Sequence, residues 1–290
     1  MFRSFSLNIK GRTWTAQRPV IAGIINVTPD SFYAESRVGS VRQTLKQAEQ
    51  FINEGALWLD IGGCSTRPGA AFPSFEEEWQ RVGPHVSGLA KAFPEVPLSI
   101  DTFRSGIARR ALDLGVDIIN DVSGGSMDSS IWNVAAEFNA PYVLTHFPKS
   151  KTAQTMMVDP IEAQEVWSNI SFFFDEKINA LGRSGVKQIL LDPGVGFGKT
   201  VEANFEIVRN GQQMLRYPFP FYLGISRKSF MWKPLGISAN ESLALTSALH
   251  LKSLECGAQI LRVHDVKEAT HVSQIWESLY RFNGNPLRET

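Results

Sequence analysis

The stretch Glu54–Gly62, EGALWLDIG, places a glycine between the end of an amphipathic segment and a short apolar run. Three further stretches repeat the arrangement: LGVDIINDV (114–122), SGVKQILLD (184–192) and CGAQILRVH (256–264). Glycine is typical of the residue that closes a helix, because its backbone readily adopts the left-handed conformation. The repeated order of helix, glycine and strand predicts βα units and a parallel sheet.

Eight apolar runs extend this pattern along the chain. The predicted strands are Val20–Asn26, Leu57–Gly62, Pro97–Asp101, Val116–Asp121, Pro141–His146, Gln188–Asp192, Pro220–Ile225 and Ala258–Val263. Amphipathic helices are predicted between them, among others at Val41–Glu54, Ser105–Leu114, Ile161–Leu181, Asn204–Leu215 and Glu241–Cys256. Eight such units predict an α/β fold, a closed (β/α)8 TIM barrel; an open doubly wound sheet is the alternative.

The 290 residues, 43% of them hydrophobic, fit one barrel domain over residues 1–290. Residues 1–19 precede the first predicted barrel strand, and alternation around Lys10-Gly11 predicts an N-terminal β-hairpin. Lys plus Arg and Asp plus Glu both number 29, so net charge gives no reason to expect nucleic acid or an anionic membrane surface as a partner.

The composition also bears on the compartment. No segment approaches the ~18 apolar residues of a membrane span, and the N-terminus lacks the apolar run of a signal peptide. Cys64 and Cys256 lack the spacing of a zinc site or a disulfide framework, and Cys64 is expected to be an unreactive thiol. We therefore expect a cytoplasmic protein.

Polar residues follow almost every predicted strand: Asn26, Asp60, Asp101, Asn120, Asp121, His146, Asp192, Ser226, Arg227, Lys228, Arg262 and His264. A single Asp or Asn at such a place more often caps a loop than binds a ligand. The carboxyl ends of barrel strands, however, surround one cavity, where barrel enzymes have their active sites. The set as a whole therefore predicts a site at that end.

Asp101, Asn120 and Asp192 combine carboxylate acceptors with an amide that both donates and accepts. This combination suits a flat heterocycle that carries several N–H groups, since a carboxylate accepts two hydrogen bonds from a guanidine-like edge. Asp121 directly follows Asn120, so its side chain should point to the opposite face, and a structural role is expected for it.

Lys228, Arg262 and His264 follow the seventh and eighth strands, where barrels of this kind often bind phosphate. For Lys228 and Arg227 the alternative is a solvated basic loop. The stretch Asp192–Lys199, DPGVGFGK, lacks the spacing of a Walker loop. Its glycines suit a tight turn over a planar ligand on which Phe197 stacks, with ordinary packing of Phe197 as the alternative.

Seven motifs occur in a fixed order: INVTPDSF (25–32), DIGGCSTRPGA (60–70), SIDT (99–102), INDVSG (119–124), LDPGVGFGKT (191–200), SRKS (226–229) and RVH (262–264). Together they resemble the signature of the dihydropteroate synthase family, over about residues 20–266. The resemblance implies a transferase of folate biosynthesis. Such enzymes join (7,8-dihydropterin-6-yl)methyl diphosphate to 4-aminobenzoate and release diphosphate.

The resemblance also implies residue roles. The pterin would be held by Asp101, Asn120, Asp192 and Lys228, and Asn26 would bind the Mg²⁺ that accompanies the diphosphate. The diphosphate would lie against Arg262 and His264, with Thr66 and Arg67, and the 4-aminobenzoate pocket would be bordered by Pro68, Phe197, Lys228 and Ser229. Lys228, Asp192, Arg262 and His264 would form the catalytic set, and a homodimer is the implied assembly.

Three departures from the family pattern remain. The first loop reads DSFYAES (30–36) where the family has DSFSDGG, Cys64 replaces a glutamate, and Thr145-His146-Phe147 replaces Met-His-Met. Two alternatives stay open: a methyltetrahydrofolate-dependent methyltransferase, which would need no diphosphate site, and a pterin-binding homologue without catalysis, suggested by Ala34 and Glu35. The response to sulfonamides is also open.

Overall fold

The computed structural model describes residues 2–27, 40–64, 72–148 and 159–281. The strands are β1 Phe5–Ile9, β2 Arg12–Ala16, β3 Val20–Asn26, β4 Trp58–Gly62, β5 Leu98–Asp101, β6 Ile118–Asp121, β7 Tyr142–Thr145, β8 Ile189–Asp192, β9 Tyr222–Leu223 and β10 Ile260–Val263. The α-helices are α1 Val41–Asn53, α2 Phe75–Ala92, α3 Ser105–Asp113, α4 Ser130–Glu137, α5 Val166–Arg183, α6 Val201–Arg209, α7 Ser229–Trp232, α8 Leu243–Glu255 and α9 Val266–Arg281. Short 3₁₀ helices cover Gly211–Arg216, Lys233–Leu235 and Asn240–Ser242.

Eight parallel strands form one sheet in the order β8-β7-β6-β5-β4-β3-β10-β9. The two ends of this order meet at a parallel bridge between Leu191 and Phe221, and the Leu191 N–H donates to the Pro220 carbonyl at 2.9 Å. An open sheet would leave those groups unpaired. The predicted (β/α)8 barrel is therefore confirmed, and the doubly wound alternative is wrong.

Most of the predicted helices and strands are longer than the elements of the structure. The seventh barrel strand, predicted at Pro220–Ile225, pairs with β10 only over Tyr222–Leu223. Pro220, which has no N–H to donate to a ladder, precedes the paired residues. The predicted helix Asn204–Leu215 is α6, which ends at Arg209, followed by a separate 3₁₀ helix.

The N-terminal hairpin of β1 and β2 closes the amino-terminal end of the barrel. Its two strands are antiparallel, as predicted, and Leu7, Ile9 and Ala16 are buried against residues from the first halves of the barrel strands, including Trp58 and Tyr222. The carboxyl end of the barrel is thus the end that remains for a ligand. Among the described residues, no helix combines the length and the hydropathy needed to span a membrane.

Candidate active site

A three-residue charge cluster lies at the carboxyl end of the barrel. The Arg262 Nε donates to Asp60 Oδ2 at 2.5 Å, and its terminal nitrogen donates to Asp101 Oδ2 at 2.6 Å. The Asp60 side chain is fully buried, whereas Arg262 and Asp101 are 20% and 14% exposed. Asp60 therefore forms the base of the site, and the other two residues reach its surface.

Asp60 is also the acceptor of a small hydrogen-bond network. The Asn120 amide donates to its two carboxylate oxygens at 3.3 and 3.2 Å, and the Ser99 hydroxyl donates to Oδ1. Trp58 donates in turn to the Ser99 hydroxyl at 2.7 Å. Sequence reasoning placed Asp60 at a strand end but assigned it no role. A charged residue in the middle of the apolar run WLDIG was the signal available.

Asp101 and Asn120 are direct partners in the β5–β6 register, so their side chains lie on the same face of neighbouring strands. Burial raises the pKa of Asp101 to about 7, against the opposing effect of Arg262 and with a contribution from Asp60. The physical reason is that two carboxylates share one guanidinium in a poorly hydrated place.

Asp192 and Lys228 lie on the opposite side of the site. Asp192 is 6% exposed, and its Oδ1 accepts a hydrogen bond from the Gly194 N–H at 2.7 Å. Burial raises the pKa of Asp192, while Lys228 acts to lower it. Burial lowers the pKa of Lys228 to about 8, despite the favourable charge of Asp192. Each of these charges thus shifts the pKa of the other, although the two side chains do not form a direct ion pair.

Lys228 is held over the loop that follows β8. Its Nζ donates to the Val195 carbonyl and lies 4.6 Å from the centre of the Phe197 ring. Phe197 is half-buried and packs near Phe147, with 6.0 Å between ring centres. The solvated-loop alternative is therefore wrong for Lys228.

The SRKS turn is fixed by its arginine rather than by its lysine. Arg227, with a left-handed φ of 55°, makes a two-point ion pair with Asp265 at 2.7 and 2.8 Å. His264 is exposed, and both its backbone N–H and its Nδ1 lie 3.1 Å from the Ser226 hydroxyl. The turn that presents Lys228 is in this way joined to the end of β10, which carries Arg262 and His264.

Asp121 does not take part in this cluster. Its buried carboxylate accepts from the Ser123 N–H and hydroxyl at 2.7 Å, from the Gly125 N–H at 2.7 Å and from the Tyr142 hydroxyl at 2.6 Å. These bonds hold the loop between β6 and α4. The contacts agree with the structural role expected from its place beside Asn120.

The remaining predicted residues lie at the edge of the site or outside the described chain. Asn26, the last residue of β3, and Ser229, the first residue of α7, are exposed. Thr66, Arg67 and Pro68, together with Ala34 and Glu35, lie outside the described residues. Burial, together with the nearby carboxylates of Glu78 and Asp101, raises the pKa of Cys64 to about 12, which agrees with an unreactive thiol.

Comparison with known proteins gives a consistent answer. A family model described as "Pterin binding enzyme" matches residues 22–264. A dihydropteroate synthase of Synechocystis is 36% identical over 268 residues, covering 91% of both chains. The Yersinia pestis dihydropteroate synthase, solved with a sulfonamide drug, has a TM-score of 0.89 at 33% identity and covers 96% and 100% of the two chains. The Xanthomonas albilineans enzyme, solved with 4-aminobenzoic acid, has a TM-score of 0.86 at 33% identity, covering 96% and 98%.

The barrel and its strand-end site are thus those of a pterin-binding enzyme, and the chain belongs to the pterin binding enzyme family. Within that family it is one of the dihydropteroate synthases. These are transferases of folate biosynthesis that condense (7,8-dihydropterin-6-yl)methyl diphosphate with 4-aminobenzoate to give 7,8-dihydropteroate and diphosphate. The function predicted from the seven motifs is confirmed, and the methyltransferase alternative is set aside.

Proposed function

We propose that the condensation takes place at the cluster around Arg262. In this arrangement Asp101, Asn120, Asp192 and Lys228 hold the pterin, and Arg262 and His264 bind the diphosphate. The observation that carries the proposal is the forked guanidinium of Arg262, which contacts the carboxylate assigned to the pterin. The same group can meet a substrate anion, because it reaches the surface of the site.

The chemistry assigned to these residues needs no protein nucleophile. The bond between the exocyclic methylene and the diphosphate oxygen breaks, and its electron pair leaves with the diphosphate. The dihydropterin ring delocalises the resulting cation, the 4-aminobenzoate nitrogen attacks the methylene, and the nitrogen loses a proton to solvent. Arg262 and His264 neutralise the charge that develops on the leaving group. Asp192 and Lys228 hold the ring in place for attack.

Asn26 is the residue that would hold Mg²⁺. Its amide oxygen is a hard donor at the exposed end of β3, and protein-bound Mg²⁺ commonly takes only one or two protein ligands beside water and substrate phosphates. No group of three or more His, Cys, Asp or Glu residues that could hold a metal occurs in the described part of the chain. A Mg²⁺ ion bound by Asn26 would therefore need the diphosphate as a further ligand. When bound, the ion supplies further neutralisation of the leaving group.

The 4-aminobenzoate pocket is proposed to lie beside the pterin, bordered by Phe197, Lys228, Ser229 and Pro68, with Thr66 and Arg67 near the diphosphate. The relative from Xanthomonas albilineans solved with 4-aminobenzoic acid supports an arylamine site in this fold. The relative from Yersinia pestis was solved with a sulfonamide drug. Sulfonamides are arylamines of similar shape, and we propose that they compete for the same pocket in this chain.

Two further proposals concern the setting of the enzyme. A cytoplasmic location is supported by its substrates, which are intermediates of folate biosynthesis. A homodimer is supported by apolar residues that α9 exposes, namely Ile275 at 57% and Leu279 at 58%, since exposed apolar clusters often mark interfaces. Sedimentation at micromolar concentration would show the dimer or rule it out.

The test of the proposed function is diphosphate release from the dihydropterin substrate, followed with and without 4-aminobenzoate and with and without Mg²⁺. We expect release together with dihydropteroate, and loss of release when Mg²⁺ is chelated. Pterin binding without either product would favour the non-catalytic homologue. Turnover that persists after chelation would contradict the proposed role of Asn26.

Pterin affinity is expected to fall as the pH drops below about 7. The pKa of Asp101 is raised from 3.8 to about 7, so its proton is taken up near neutrality, and a protonated carboxyl no longer accepts two N–H bonds from the ring. From pH 8 to pH 6 the ionised fraction, and with it the affinity, should fall about tenfold. Titration calorimetry with a pterin that lacks the diphosphate measures this. In Asp101→Asn the pterin affinity should depend less on pH. A constant affinity from pH 6 to 8 in the unaltered enzyme would contradict the assignment of Asp101 to the pterin.

A further inference from the structure

A buried lysine lies beneath the glycine-rich loop, defined here as residues 193–198. Lys199 is 2% exposed, and its Nζ lies 2.7 Å from the Gly194 carbonyl, 3.0 Å from the Phe197 carbonyl and 2.9 Å from His146 Nδ1. His146, just after β7, is equally buried, and its ring meets Phe173 edge-on at 5.0 Å. The Lys199 side chain thus joins two carbonyls of the loop to the end of the neighbouring strand.

None of these three hydrogen-bond partners is a carboxylate. Burial lowers the pKa of Lys199 well below its ordinary value, opposed by the charge of Asp192, and burial also lowers the pKa of His146. As an ammonium, Nζ donates to all three partners. As an amine, it donates to the two carbonyls and accepts a hydrogen bond from His146 Nδ1–H. All three bonds are satisfied in either state, so the arrangement does not depend on the charge.

The loop carries groups that belong to the active site. Its Gly194 N–H donates to Asp192, its Val195 carbonyl accepts from Lys228, and its Phe197 ring lies under the Lys228 ammonium. The backbone at Gly194 passes so close to the His146 carbonyl that a Cβ there would lie only 2.0 Å from it. A shift of the loop would therefore move Phe197 relative to the rest of the site.

We propose that Lys199 and His146 are positioning residues that fix the glycine-rich loop and thereby set the affinity for the arylamine acceptor. The proposal rests on the proposed function, in which Phe197 borders the 4-aminobenzoate pocket. Neither residue is assigned to the substrates: both act through the loop that lies above them. Asp101 and Asn120 lie on β5 and β6 and make no contact with the loop in the hydrogen bonds described above, so these two pterin contacts should be little affected.

The first test is Lys199→Met, which keeps the length of the side chain and removes its N–H donors. We expect the KM for 4-aminobenzoate to rise about tenfold, while kcat and the dissociation constant of the pterin change less than about threefold. Lys187→Met, at an exposed lysine just before β8, is the matched control and should leave all three constants unchanged. An unchanged KM in Lys199→Met would overturn the proposal.

A pair of substitutions at His146 gives an independent test. In His146→Asn the amide oxygen lies near the place of Nδ1 and still accepts from Lys199, whereas His146→Leu has a similar volume and no acceptor. We expect the leucine variant to raise the KM for 4-aminobenzoate about tenfold and the asparagine variant to stay within about threefold of the unaltered enzyme.

The outcomes separate positioning from a general structural role. If both His146 variants lower the melting temperature and raise the KM to the same extent, the acceptor has no specific effect and the proposal is wrong. If Lys199→Met does not fold, the comparison at His146 decides. Failure of the proposed function would look different, since the unaltered enzyme would then form no dihydropteroate.

Discussion

Lys228→Ala is expected to abolish turnover, lowering kcat by about 10³-fold, while the fold is retained. Lys228 is the cation with the largest effect on Asp192, and its side chain links the SRKS turn to the glycine-rich loop by donating to the Val195 carbonyl. Loss of one preorganised donor in a poorly hydrated site typically costs 10²–10³ in kcat. Here the substitution also removes the ammonium over Phe197.

Single-turnover and steady-state assays of dihydropteroate formation measure this effect, with circular dichroism to show that the variant is folded. Lys233→Ala is the matched control, because Lys233 is an exposed lysine five residues further along the chain. The control should keep its normal kcat. A Lys228→Ala enzyme that retains near-normal kcat would refute the placement of this residue in the catalytic set.

Arg262→Met is expected to lower both activity and stability. The substitution leaves the carboxylates of Asp60 and Asp101 without their shared cation, and removal of one partner of a buried ion pair costs about 3–5 kcal/mol of unfolding free energy. It also removes the proposed contact with the leaving diphosphate, so kcat/KM should fall about 10³-fold. Chemical denaturation and steady-state kinetics at pH 7.5 give the two quantities.

Second substitutions separate the two effects. In Arg262→Met combined with Asp60→Asn, one uncompensated charge is removed, so we expect part of the stability to return while kcat/KM stays low. Arg262→Lys keeps the charge but lacks the planar fork that reaches both carboxylates. Its stability and its kcat/KM should lie between those of Arg262→Met and those of the unaltered enzyme. Arg209→Met, at a largely exposed arginine, is the control. A loss below about 1 kcal/mol in Arg262→Met would show that the cluster is not a paired unit.

The prediction of roles was most complete where a residue lies in a motif and at a strand end. The structure brings Asp101, Asn120, Asp192, Lys228 and Arg262 to one end of the barrel. The order of strands in a (β/α)8 barrel follows the chain, so strand-end residues must converge once the barrel closes. The roles of these residues with substrates stay predictions that the substitutions above test.

Asp60 and Lys199 make contacts that could not be predicted from the sequence. Asp60 is one of twelve polar strand-end residues. The register of β4 with β5 places it beside Ser99, and Arg262 reaches it from β10, on the other side of β3. Lys199 looked like the last residue of a glycine-rich stretch, and nothing local indicates that its side chain turns back to His146. A buried charge is recognised from its partners, and its partners are known only after folding.

The sequence by itself determined the βα repeat, the hairpin and the family, because the apolar period, the glycine at each helix end and the order of motifs are properties of the linear chain. Only the tertiary structure decided that Arg262 pairs with Asp60, 202 residues away, and that Lys199 donates to carbonyls of the glycine-rich loop. These contacts depend on strand register and on the closure of the barrel between β8 and β9. Both are set by packing of the whole core, which no local pattern of residues specifies.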